Sequence, residues 1–190
     1  MSIVRATALT LSSALLVLSS VAPAAGKKTA PDLLAPGVHA VQLAVPAWRD
    51  SKVVIGVAST ACLSGAGAVS VLSVKAASGD VALGSFAFLK IASMKRGTMF
   101  GTAVGTLRSN GIAAGPRRLD LPCRGSRGYE LLIEARAGSR TTSASALLVT
   151  YLRSNGTRGH LRIPFAILMC TRDGDPRCPR VTPTATRQPF

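Results

Sequence analysis

From Lys52 to Cys170 the chain is a succession of short β-branched or alternating runs, broken by glycine, serine and asparagine. No stretch shows apolar residues at helical spacing, and an apolar residue at every second position sorts onto one face of a strand. "KVVIGVASTACL" and "AVSVLSVKAA" read as strand, turn, strand around Ser64, Gly65 and Gly67. "SGD" at 78–80 then turns the chain into "VALGSFAFLKIA", where Val81, Leu83, Ala87, Leu89 and Ile91 share one face and Phe86 and Phe88 the other. Both faces are partly apolar, which predicts a strand covered on both sides. In "GYELLIEARAG", Tyr129, Leu131, Ile133 and Ala135 alternate towards a core, with Glu130, Glu134 and Arg136 towards water. "SASALLVTYLRS" and "GHLRIPFAILMC" follow as two long strands joined through Asn155-Gly156.

The remaining segments are weaker. Prolines at 31, 36 and 46 make residues 25–50 a loose entry that becomes an edge strand around Val38 to Val45. Between Lys95 and Cys123 the pattern supports one short strand and an Asn110-Gly111 hairpin turn. "LRSNG" occurs at Leu107–Gly111 and again at Leu152–Gly156, and the flanks do not align, so common turn chemistry explains the echo better than duplication. The total is about seven to nine strands, and the fold expected is an all-β antiparallel β-sandwich. "RGYELLIEARAG", a Gly-Tyr opening an alternating strand, resembles exported immunoglobulin-like modules over about a dozen residues. Trp48 precedes Cys62 instead of lying between paired cysteines, so the resemblance implies the architecture alone.

The N-terminus adds a compartment. "MSIVRATALTLSSALLVLSSVAPAAG" has a basic Arg5, an apolar run to about Val21 and small residues at Ala22 and Ala24, the pattern of a secretory signal peptide over residues 1–24. No later run is long enough to span a bilayer as a helix. The organisation expected is therefore a signal peptide at 1–24, a proline-containing entry and edge strand at 25–50, one sandwich domain at 51–180 and a tail at 181–190. The location expected is secreted or periplasmic. Four cysteines in an exported chain argue for two disulfides, and of the three pairings the preferred one joins Cys170 to Cys178 across a turn and Cys62 to Cys123. "CTRDGDPRC" is then a stapled turn, because Asp173 and Asp175 alone cannot supply the six to eight oxygens calcium prefers, and Arg172 and Arg177 offset their charge.

Loss of Arg5 leaves 22 basic and 8 acidic residues, 16 of the basic ones from Lys95 onward. Such an excess favours an anionic neighbour such as an envelope component, an acidic polymer or an acidic protein, although scattered arginines also form plain solvated faces. The candidate anion-binding residues are Arg117, Arg118, Arg124 and Arg127 in an unpatterned loop, and Arg158 and Arg162 beside a hairpin. Stacking aromatics do not interleave with them, so sequence-specific nucleic-acid recognition is not expected. His39 and His160 stand apart from any serine or carboxylate motif, and Glu130 and Glu134 lie roughly 13 Å apart along an extended strand, too far for paired-carboxylate catalysis. No catalytic residue, metal site or cofactor is assigned. Asn155-Gly156-Thr157 matches an N-glycosylation acceptor. The function expected is a non-enzymatic binding or structural module. The alternatives are a surface-fibre subunit or chaperone donating a strand from Lys27 to Val45, and a small exported hydrolase.

Overall fold

The computed structural model describes residues 29–36, 41–46, 51–91, 101–115, 117–124, 127–171 and 175–178. The expected signal peptide, His39, Trp48, Arg172, Asp173 and the tail lie outside them. Among the described residues eleven strands form: β1 (Leu33–Leu34), β2 (Val41–Pro46), β3 (Lys52–Leu63), β4 (Val69–Gly79), β5 (Ala82–Lys90), β6 (Gly101–Val104), β7 (Arg118–Leu119), β8 (Tyr129–Arg136), β9 (Thr142–Arg153), β10 (Arg158–Ile163) and β11 (Phe165–Cys170). The excess over seven to nine has a simple origin. Three strands are short edge pieces, and Pro164 splits the expected last strand in two, since proline has no N–H to give to a ladder.

The first sheet runs β1-β3-β8-β5, with β6 also on β3; the second runs β2-β11-β9-β4-β7, with β10 on β9. The paths β1-β3-β8-β5 and β11-β9-β4 follow the A-B-E-D and G-F-C orders of an immunoglobulin-type sandwich, to which β2 is added outside β11, β7 outside β4 and β6 on β3. The β2–β11 ladder is parallel, which makes the second sheet mixed and not purely antiparallel. Thus Leu33–Leu34 and Val41–Pro46, from the entry segment, pair within the chain's own sheets. Val53, Ile55, Phe86, Phe88, Leu131 and Ile133 of the first sheet pack into one buried cluster with Val71, Leu147, Val149, Phe165 and Ile167 of the second. Cys62 bonds to Cys123 and Cys170 to Cys178, the preferred pairing.

Two expectations about faces are corrected. In β5 the register against β8 shifts between Leu83 and Phe86, and this bulge changes the phase of the alternation. Val81 and Leu83 therefore join Phe86 and Phe88 in the inner core, leaving Ala87 and Leu89 on the outer face. The strand is covered on both sides, as its composition predicted. The second correction concerns β8, whose Glu130 and Glu134 do not face water. Glu130 is fully buried and Glu134 half-buried, beneath a second cluster in which Leu107 and Ile112 cover Val54, Ala87 and Leu132. Leu107 N–H donates to Glu134 Oε1 at 2.6 Å, holding this roof on the sheet.

The expected Asn110-Gly111 hairpin is instead a 3-10 turn over Arg108–Asn110, closed by Gly111 at φ 74°. In both copies of "LRSNG" the glycine N–H donates to the arginine carbonyl at 3.0 Å, and Gly156 has φ 81°. The pentapeptide makes the same turn twice, and only the second copy lies between two paired strands. Left-handed φ at the fourth turn residue suits glycine.

Candidate functional site

The two outer faces of the sandwich differ. That of the first sheet is roofed by the segment around Leu107, while β10, β9 and β4 of the second present exposed polar side chains. On β10, Gly159, Leu161 and Ile163 turn inward and Arg158, His160 and Arg162 stay exposed. Register carries these across the sheet. Arg158 pairs with Leu152, which pairs with Ser70, which pairs with Arg118, and Arg162 pairs with Leu148, which pairs with Lys75. Between the two rows, His160 pairs with Thr150 and Thr150 with Ser73, and His160 Nδ1 lies 3.3 Å from Thr150 Oγ1. Two columns of cations thus flank β9, roughly 10 to 14 Å apart at normal strand spacing. Leu72, the extra residue of a β4 bulge, is 44% exposed there.

Among the described residues, Lys75, Arg118, Arg158 and Arg162 form no ion pair. The carboxylates are committed elsewhere: Asp32 to Arg153, Asp80 to Arg140, Asp120 to Lys90 and Asp175 to Arg177. The face continues towards β2 and β11 into a depression of about 260 Å³, where Gln42, Ser143, Ser145 and Leu168 lie beside Arg177 of the disulfide-closed turn.

The other sequence candidates are dispersed. Arg117 donates to Phe88 O at 3.3 Å and Ala113 O at 3.0 Å, while its own carbonyl accepts from Val71 N–H at 3.2 Å, so it ties the edge of β5 to that of β4. Arg124 and Arg127 are exposed beside Cys123, off the second sheet. Lys75 lies outside the basic-rich region that begins at Lys95, and the alternation of "AVSVLSVKAA" is the sequence signal that places it outward. No group of three or more His, Cys, Asp or Glu side chains suited to a metal ion exists among the described residues.

Two buried tyrosines anchor the rim. Tyr151 donates to Asp32 Oδ1 at 2.8 Å, and Arg153 Nε reaches the same oxygen at 2.8 Å. Tyr129 donates to Asp120 Oδ1 at 2.6 Å. Burial, then Asp120, pushes the Tyr129 phenol up to about 12. Tyr151 first, then Arg153, holds Asp32 below the usual carboxylate range. A carboxylate lowered by folding contributes stability above its unfolded value of about 3.9, and that contribution is lost as pH falls through the lower folded value. Asp32→Asn is therefore expected to flatten part of the fall in melting temperature below about pH 4. Identical acid-side slopes for parent and variant would count against this role.

The fold and face together define a disulfide-bonded all-β sandwich with one open cationic sheet surface. No family model, curated protein or solved structure matches the chain. No helix among the described residues is long and apolar enough to cross a membrane.

Proposed function

We propose that this chain is an exported, non-catalytic binding module that engages an anionic envelope partner through the outer face of its second sheet. One observation carries the reading: Lys75, Arg118, Arg158 and Arg162 stand exposed on one face without an ion pair among the described residues. Cations arranged this way raise the local concentration of anions, and Asp120, which lies beside Arg118 and is hydrogen-bonded to Tyr129 and paired with Lys90, offsets them only in part. Export is supported by the leader pattern of residues 1–24 and by the two disulfides, which persist in oxidising compartments.

Net charge alone would give some binding, so the test holds net charge constant. One variant carries Lys75→Ser, Arg118→Ser, Arg158→Ser and Arg162→Ser; the control carries Lys52→Ser, Arg108→Ser, Arg124→Ser and Arg127→Ser. At low salt the first is expected to lose about tenfold or more in affinity for anionic vesicles or polyglutamate, and the control about twofold or less. Equal losses would show that only overall charge matters and would refute the face.

A further inference from the structure

The four cations are not collinear. Arg158 and Arg162 lie four residues apart on β10, roughly 13 Å along the strand. Arg118 faces Arg158 across one row, and Lys75 faces Arg162 across the other. A linear polyanion following either a row or a strand meets two of them, whereas a plane of anionic groups meets all four together. The space between them is also not polar throughout: Leu72 is exposed and Leu148 and Leu152 are half-buried. A chain of charged units gives those leucines nothing to pack against. The interface of a bilayer does, because phosphates lie above its acyl boundary and an apolar side chain can enter it. Arginine suits that boundary, its stem lying along apolar surface while its planar fork takes phosphate oxygens two at a time.

We infer that the anionic partner of this face is the headgroup layer of a bilayer, on which the sandwich lies with its second sheet parallel to the surface and Leu72 entering the interface. This rests on the binding-face reading above and narrows it to one occupant. Orientation follows from the contrast between the outer faces, since the opposite one is covered by the Leu107 segment. At about 1 kcal/mol for each basic residue near an anionic surface, four correspond to about a thousandfold in partition.

The experiment is flotation of the purified chain with vesicles of phosphatidylcholine alone and of phosphatidylcholine mixed with phosphatidylglycerol, with soluble polyphosphate and polyglutamate as competitors. The expected result is strong preference for the mixed vesicles, a loss of about fivefold for each single cation-to-serine change, and weak competition by either polymer at equal charge. Leu72→Ser is expected to lose about threefold or more on vesicles while leaving polymer binding unchanged. All these side chains are exposed, and unaltered thermal unfolding of each variant verifies that it is folded. Vesicle partition indifferent to Leu72→Ser, or displacement by either polymer at equal charge, overturns the bilayer assignment while leaving an anion-binding face. If the four-serine variant matches its charge-matched control on every probe, the binding face itself is wrong.

Discussion

Replacing Cys62 and Cys123 together by serine is expected to destabilise the fold by about 4 kcal/mol, the chain-entropy value for a bond of this separation. The two cysteines stand 61 positions apart, the longer of the two loops. Leu63 N–H donates to Leu121 O and Cys123 N–H to Leu63 O, both at 2.9 Å, so the bond fixes a segment already held on β3. The corresponding loss for Cys170 and Cys178, separated by 8, is about 2.6 kcal/mol. Denaturant midpoints of the two double-serine proteins should therefore differ in that order. The reverse order would show that the turn at Cys170 matters more to the folded state than chain entropy allows.

Gly159→Ala is expected to cost about 2 to 4 kcal/mol. Gly159 pairs with Tyr151 across β10 and β9, and a Cβ there would stand inside contact distance of the Tyr151 Cζ, Cε2 and Oη atoms. The ring has no room to withdraw. Tyr151 is 2% exposed, its hydroxyl is held by Asp32, and the Arg153 guanidinium lies 5.5 Å from its centroid. Urea unfolding measures the loss, and adding Tyr151→Leu, which clears the space, should make the alanine nearly neutral in that background. A Gly159→Ala protein within about 0.5 kcal/mol of the parent would show that the ring can yield.

Much of the strand content was legible because a half-buried strand must alternate, as β10 does, whereas β8, buried on both faces, was legible as a strand but not in what covers its second face. The phase of β5 was not, since a bulge adds a residue that no periodicity announces. Nor was the roof over β8: Leu107 and Ile112 are isolated apolar residues in a polar stretch, and only their position above Leu132 gives them a partner. The candidate face was half visible. Arg158 and Arg162 share a strand, and their spacing shows it. Arg118 and Lys75 join them only through the register of β7, β4 and β9, which is a property of folded neighbours and not of sequence distance.

The parallel ladder of β2 on β11 also constrains when this chain can fold. Val41 finds its neighbour at Phe165 and Pro46 at Cys170, while Tyr151 reaches back 119 positions to Asp32. Contacts of such span close slowly, because the intervening chain must lose its freedom before they return any stability. A growing chain that lacks β11 leaves β2 without its ladder and the second sheet with an open edge. The second sheet is therefore the last part of the fold to close, since every strand of the first precedes Thr142 while β2 waits for β11 at Phe165–Cys170.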